Sequence, residues 1–143
     1  MTARHIIESL LAEGARTGYH GTDALFSTFH GHLPAFFASD PEDAASYAED
    51  AAGEGRYVVR SDLSRYKLAE QADIMAACAA LGLQDADALI QNNEDTFDLI
   101  DELRWRGFEG TEHWDQNAIT GDPFMAYCIF DPEGLRAEPV VKP

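Results

Sequence analysis

The chain has 143 residues, 45% of them hydrophobic, and a formal net charge of −16. This length is typical of one domain with a substantial core, and the strong negative charge disfavours direct binding to nucleic-acid phosphates. No apolar run approaches the roughly 18 residues of a membrane helix, and no signal-peptide pattern is visible. Two cysteines, Cys78 and Cys128, lie in apolar segments. We therefore expect a single cytoplasmic domain without a disulfide and without a direct membrane or nucleic-acid partner.

The first half of the chain predicts short elements separated by breaks. An apolar stripe at i, i+1, i+4 and i+5 predicts an N-terminal helix over residues 3–12. Strands are predicted over residues 19–22, 36–38 and 56–63. Ser39 or Asp40, followed by Pro41 and by acidic residues in the first turn, predicts a helix over residues 40–50.

The second half begins with a segment of different character. Residues 68–105 predict two or three short helices, which we interpret as a helical insert in a sheet domain. Strands are predicted again over residues 108–114 and 124–130, and residues 139–141 predict a last edge strand. This order of elements indicates an α+β fold rather than a doubly wound parallel sheet.

Two motifs in the N-terminal half carry side chains suited to a ligand. The first is the strand Tyr19-His20-Gly21-Thr22, and the second is Phe36-Phe37-Ala38-Ser39 followed by a helix that bears Tyr47. Together they supply an imidazole, a glycine backbone that a ligand can approach and two aromatic rings. These groups are suited to hold a flat, amide-bearing ring such as nicotinamide.

The order of these motifs resembles the ADP-ribosyltransferase superfamily, in the His-Tyr-Glu branch of poly-ADP-ribose polymerases and diphtheria toxin. His20-Gly21 is similar to the His-Gly pair of that family, and Phe36 and Tyr47 resemble its two stacking tyrosines in their spacing. Residues 107–110 and 126–133 resemble the Gly-Tyr-Asp-Gly strand and the Glu-Tyr-Val-Val-Phe-Asp-Pro-Glu ending of bacterial and phage relatives. The Phe-Ala strand and the acidic insert are similar to phage transferases that include an anti-CRISPR inhibitor.

The resemblance implies a split, mostly antiparallel sheet with an N-terminal helix and a helical insert, and NAD as a substrate. It implies that Phe36 and Tyr47 stack on nicotinamide and that the backbone of Gly21 binds its carboxamide. His20 and Thr22 are then expected to hold a ribose. Phe36 replaces a tyrosine of the family and keeps the ring that stacks.

One departure from the family concerns the catalytic acid. The position that corresponds to its glutamate is Ala126, which has no group to orient a ribose hydroxyl or to stabilise positive charge. Glu112 and Asp115 are the neighbouring candidates for a catalytic acid, and Asp122 lies in the turn that follows. Glu112 and Asp115 are equally well interpreted as ordinary acids of a strand and a turn.

Three hypotheses follow. The first is an NAD-dependent mono-ADP-ribosyltransferase, of a toxin or anti-CRISPR effector type, that modifies a protein with a basic surface, such as a protein that handles nucleic acid. The second is a catalytically degenerate, acidic inhibitor on the same fold, and the third is an acidic interaction module without a nucleotide site. No metal is expected, because the His30-x-His32 spacing has no further ligand nearby. Without the surrounding motifs, His20 and Tyr47 are typical of ordinary strand and helix residues.

Overall fold

The computed structural model describes residues 16–22, 25–31, 33–49, 57–83, 94–117 and 120–140, and within these ranges the side chains of residues 46–49 are not described. The predicted helix over residues 3–12 lies outside the described residues. The described elements, in chain order, are β1 (Thr17–Thr22), β2 (Ala35–Ala38), α1 (Pro41–Glu49), β3 (Tyr57–Asp62), β4 (Leu68–Ala69), α2 (Gln71–Leu81), α3 (Glu94–Trp105), β5 (Gly110–Gln116), β6 (Pro123–Ile129) and β7 (Glu138–Pro139).

The described strands form one seven-stranded sheet in the order β4-β5-β6-β2-β1-β3-β7. Neighbouring strands run antiparallel, except β4 and β5, which run parallel. The α+β class and the mostly antiparallel sheet are therefore confirmed. The predicted insert over residues 68–105 differs from the structure at its start, because Leu68 and Ala69 form β4 opposite Gly110 and Thr111 before the first helix begins.

A row of directly opposed residues crosses the sheet and defines its two faces. His113 lies opposite Ala126, Ala126 opposite Ala38, and Ala38 opposite Tyr19. Residues that face each other across strands project from the same side, and successive residues alternate. We call the side that carries this row and Phe36 the front face. The other side, which carries His20, Phe37 and Glu112, is the back face.

All three described helices contribute to the apolar clusters of the front face. Ala44 of α1 packs with Ala38, Phe124 and Ala126. A second cluster joins Cys128 to the buried residues of α2 and α3, which are Ile74, Ala77, Cys78, Leu99, Ile100 and Leu103. Phe36 lies against this second cluster. The two helical groups therefore cover different parts of the same sheet face.

The sequence explains where each helix begins and ends. Asp40 caps α1, because its Oδ1 accepts the Glu42 amide at 2.8 Å, and Pro41 occupies the first helical position. Helix α2 starts at a capping box, in which Asp73 accepts the Glu70 amide at 3.0 Å. It ends at Gly82 with a φ of 72°, a left-handed conformation that favours glycine.

The back face holds a second core, which contains Phe37, Val59 and Ile129. The loop that contains Phe29 and the loop that contains Leu135 cover this core. They bind each other through backbone hydrogen bonds, such as that from the Phe29 amide to the Leu135 carbonyl oxygen at 2.8 Å. Both cysteines are buried and unbonded to each other, as expected. None of the helices in the described ranges has the length and apolarity needed to cross a membrane.

Candidate functional site

The sheet is weakest between β1 and β2. Within the described residues their ladder consists of the pair Tyr19 and Ala38, whereas β1 pairs with β3 from Thr17 to Thr22 and β2 pairs with β6 along its whole length. The sheet is therefore nearly divided into a four-stranded part, β4-β5-β6-β2, and a three-stranded part, β1-β3-β7. The two motifs singled out in the sequence meet at this division.

His20 bridges the division with its side chain. Its Nδ1 donates a hydrogen bond of 2.8 Å to the carbonyl oxygen of Phe36, since a carbonyl can only accept. The imidazole lies on the back face within an aromatic cluster, edge-on to Phe29 at 5.2 Å and near Phe26 and Phe37. Burial lowers the pKa of His20, although the bond to Phe36 opposes this shift. The ring therefore holds β1 against β2 in its neutral form.

Gly21 and Phe36 lie on the front face beside this division. Gly21 is opposite Val58, a residue that packs in the front-face cluster with Ala44. Phe36 is partly buried against the cluster of α2 and α3. Thr22, in contrast, alternates onto the back face with His20. The structure thus brings Gly21 and Phe36 to one surface and places the side chains of His20 and Thr22 on the other.

Tyr47 belongs to α1, which packs across β1, β2 and β3 on the front face. The helix that carries it therefore borders the same surface as Phe36. The side chain of Tyr47 lies outside the described residues, so the predicted pairing of the two rings stays a prediction.

The two candidate acids lie on opposite faces of β5. Glu112 is on the back face, where its carboxylate forms an ion pair with Arg16 at 3.2 Å. Tyr127 lies opposite Glu112, and its pKa is raised mainly by burial and secondly by the negative charge of Glu112. Asp115 is on the front face opposite Phe124. Asp115 is therefore the candidate acid that shares a face with Phe36 and Gly21.

The turn that follows Asp115 is anchored to α1. Asn117 is buried, and its Nδ2 donates a hydrogen bond of 2.9 Å to Asp43 in the first turn of that helix. Its Oδ1 accepts the Thr120 amide at 3.1 Å, which holds the turn in shape. Asp122, the third acid named above, is exposed and belongs to this turn, because its carbonyl oxygen accepts the Asn117 amide at 2.9 Å. The end of β5 and helix α1 therefore form one connected border of the front face.

Ala126 is fully buried, and the residue opposite it is His113. His113 is 5% exposed, its Nδ1 hydrogen-bonds Thr111 Oγ1 at 2.8 Å, and its ring stands edge-on to Phe36 with 6.3 Å between centroids. Burial lowers the pKa of His113 to about 4, although Asp115 opposes the shift. Its Nε2 is a buried side-chain atom without a hydrogen-bond partner, unlike the other buried polar side-chain atoms of the described residues.

His113 was not among the candidate site residues predicted from the sequence. The alternation Thr111, His113, Asp115 is a signal for three polar side chains on one side of a strand. The register with β6, a contact between strands, places this side of β5 on the front face.

Other features of the described residues offer less chemistry. No group of three or more metal-ligating side chains occurs in the described ranges, and His32 lies outside them. A groove of about 290 Å³ near the β1-β3-β7 edge is lined by two arginines and two acids, namely Arg60, Arg136, Asp62 and Glu138. Arg60 and Glu138 form an ion pair at 3.2 Å, so the charges of this groove are balanced.

In comparisons with known proteins, the chain has no match among protein-family models, among curated proteins or among solved structures.

Proposed function

We propose that the chain is an NAD-dependent mono-ADP-ribosyltransferase that modifies a protein. The observation that carries this proposal is the near-division of the sheet between β1 and β2, with Gly21 and Phe36 side by side on the front face. A glycine admits a ligand close to the backbone, and a partly exposed aromatic ring next to it provides a stacking surface. This combination suits the carboxamide-bearing ring of nicotinamide.

In this proposal each motif residue has a stated role. Phe36 and Tyr47 stack on nicotinamide, and Gly21 binds its carboxamide. We assign His20 to positioning, because its hydrogen bond to the Phe36 carbonyl, made from the back face, suits it to fix β2 and with it Phe36 against β1. Thr22 shares that face, so we expect it to support the strand rather than to touch the ribose.

The reaction breaks the bond between nicotinamide N1 and ribose C1′. Nicotinamide leaves as a neutral molecule, and a nucleophile of the target forms a bond to C1′ and loses its proton. Positive charge develops on the ribose during this step, and a fixed carboxylate stabilises such charge without reorganisation. Asp115 is our candidate for that carboxylate, because of the two acids of β5 it is the one on the front face with Phe36, whereas Glu112 lies on the back face.

The stacking role of Tyr47 can be tested by NAD binding. An aromatic stacking contact contributes roughly 0.5–1.5 kcal/mol beyond area burial, so we expect Tyr47→Ala to weaken NAD binding by around tenfold and Tyr47→Phe to have little effect. Calorimetric titration with NAD measures both. Tyr57, a tyrosine of β3 that is 39% exposed, provides the control, and Tyr57→Ala is expected to bind NAD like the parent. Unchanged binding by Tyr47→Ala contradicts the sandwich.

The role of Asp115 can be tested by transfer activity. A cell lysate is incubated with the chain and biotin-labelled NAD, and labelled proteins are identified by blotting and by intact mass. Loss of a preorganised electrostatic group typically costs roughly 10²–10³ in rate, so we expect Asp115→Asn to abolish labelling. Glu112→Gln is expected to retain most of it. The reverse pattern moves the role to Glu112, and no labelling by the parent contradicts the enzyme proposal.

A second candidate function is an acidic binding protein on a degenerate transferase fold. The observation that favours it is Ala126, which fills the expected acid position with a fully buried methyl group. This alternative predicts that the chain binds its target without NAD, and that Asp115→Asn and Tyr47→Ala leave target binding unchanged. A stable complex together with an unmodified target mass supports it over transfer.

A further inference from the structure

His113 is the buried polar group of the front face whose hydrogen-bonding capacity is incompletely used. Its side chain is 5% exposed and its Nε2 has no partner. A buried donor or acceptor left unsatisfied destabilises a protein, so such atoms are rare and call for an explanation. A ligand that completes the hydrogen bond is one such explanation.

Hydrogen-bond accounting indicates which tautomer His113 adopts. If Nδ1 carried the proton and donated to Thr111 Oγ1, the hydroxyl hydrogen of the fully buried Thr111 and the lone pair of Nε2 would both lack partners. If Thr111 instead donates to Nδ1, its hydroxyl is satisfied and one group, the Nε2–H donor, is left over. The second arrangement leaves fewer unsatisfied groups, so Nε2 presents a proton to an oxygen acceptor.

The position of His113 relative to Phe36 suggests which oxygen this is. In the strand order β5-β6-β2-β1, Phe36 on β2 lies between His113 on β5 and Gly21 on β1. The ribose is attached at the ring nitrogen, which is meta to the carbon that bears the carboxamide. When the carboxamide binds at Gly21, the ribose therefore leaves the ring obliquely, and one of the two orientations of the ring directs it along the strands and towards His113 on β5.

Distance along the strand separates His113 from Asp115. Phe36 of β2 lies opposite Cys128 of β6, and Cys128 lies opposite Thr111 of β5, so Thr111 is the β5 residue level with Phe36. His113 lies two residues further, about 7 Å along the strand, and Asp115 four residues further, about 13 Å. A ligand stacked on Phe36 therefore meets the imidazole before it reaches the Asp115 carboxylate. Ala126, opposite His113, has no polar group to compete for the ligand.

We propose that His113 is a ligand-binding residue whose Nε2–H donates a hydrogen bond to a hydroxyl oxygen of the nicotinamide ribose. This inference rests on the proposed function, because it takes NAD as the ligand and Phe36 as its stacking surface. Since Nε2 is buried in the described structure, the surrounding front-face side chains must part when the ligand enters. The bond positions the ribose for the step in which nicotinamide leaves.

The test compares ligands with and without a ribose. The parent chain, His113→Phe, His113→Gln and the exposed control Gln116→Ala are titrated by NMR with nicotinamide, nicotinamide riboside and NAD. Loss of one hydrogen bond is expected to weaken nicotinamide riboside and NAD by about 3- to 10-fold in His113→Phe, with nicotinamide unaffected. Gln, whose amide can place a donor near the position of Nε2, is expected to restore binding, and the control to bind like the parent.

The outcomes separate this inference from the proposed function. Parent binding of NAD with equal binding by His113→Phe overturns the role of His113 and leaves the transferase proposal standing. Equal weakening of nicotinamide and nicotinamide riboside also overturns it, because a structural defect affects both. Absence of NAD binding by the parent overturns both proposals. If His113→Phe fails to fold, the binding of nicotinamide riboside by His113→Gln is compared with that by His113→Asn, whose amide is too short to place a donor at the Nε2 position. Equal binding by these two variants overturns the role of His113.

Discussion

Two histidines, His20 and His113, affect both the stability of the fold and the candidate site. His113 and His20 are neutral because burial penalises their charged forms, and each uses Nδ1 to bind a neighbour on the sheet. His20 thereby ties the two halves of the sheet together, while His113 leaves its second nitrogen for a ligand. The two histidines lie on opposite faces, so their titrations affect different parts of the molecule.

We expect the stability of the folded chain to depend on the ionisation of His113. Its pKa is about 4 in the folded protein and 6.5 when exposed, so the unfolded chain binds more protons between these values. The neutral His113 therefore contributes to the free energy of unfolding in full above pH 6.5, and this contribution is lost as the pH falls through about 4. Because a shift of one unit corresponds to about 1.4 kcal/mol, the loss amounts to up to about 3 kcal/mol.

Urea unfolding of the parent and of His113→Phe between pH 7 and pH 4 measures this dependence. The phenylalanine variant is expected to lose less stability over this interval, since it lacks His113 and all other titratable groups are the same in both proteins. At pH 7 the two proteins are expected to differ little in stability, because the unsatisfied Nε2 is removed while the buried Thr111 hydroxyl loses its partner. Identical slopes in the two proteins would show that His113 is not the titrating group.

At the scale of elements, the pairing of β5 with β6 determines which polar side chains reach the front face. Their continuous register from Gly110 to Gln116 sets His113 opposite Ala126 and places Glu112 on the back face. A slip of one residue would exchange these faces. Gly110 fits this register because it has no β-carbon, which would meet the backbone of β6.

Gly110→Ala is expected to destabilise the protein by at least about 2 kcal/mol. A β-carbon at this position would collide with the backbone carbonyl oxygen of Cys128 and approach the side chain of Leu68 to 2.8 Å. Backbone in the centre of a sheet cannot move aside as a flexible side chain does. Urea unfolding followed by circular dichroism measures the change, with the exposed Gln116→Ala on the same strand as a control within about 0.5 kcal/mol of the parent. Equal stability of both variants would refute the close approach.

At the scale of the whole molecule, unbalanced negative charge dominates the surface. Helix α3 alone carries five acids against one arginine, namely Glu94, Asp95, Asp98, Asp101, Glu102 and Arg104. The ion pairs of the described residues are exposed or half-buried, such as Arg106 with Glu102 at 3.2 Å, and pairs of this kind stabilise little. Most of the charge therefore contributes self-repulsion that opposes the compact state.

Added salt is expected to stabilise the protein. Raising NaCl from about 10 mM to about 200 mM shortens the screening length from about 30 Å to below 8 Å, which weakens this repulsion. We expect Tm to rise by about 2–6 °C in calorimetric scans, corresponding to about 1 kcal/mol. Asp98→Lys, which changes the net charge by two units at an exposed position, should show a smaller rise. A fall of Tm with salt would indicate that specific ion pairs outweigh the repulsion.

The sequence by itself determined the class of the fold and most of its elements. Local signals sufficed where one residue fixes the local backbone, as Asp40 and Pro41 do at the start of α1, and where a short apolar run defines a strand, as in β6. The two-residue strand β4 escaped prediction, because its pairing with β5 is a long-range contact without a periodic pattern.

Only the tertiary structure decided which side chains share a face and which are buried. Glu112 and Asp115 are equivalent acids in the sequence, and the register with β6 separates them. His20 has the same motif context whether it points towards a ligand or into an aromatic cluster, and the packing of Phe29 and Phe37 places it in the cluster. The incomplete hydrogen bonding of His113 likewise exists only because strands distant in the chain bury it. Burial and register arise from contacts between distant residues, and for that reason no local pattern encodes them.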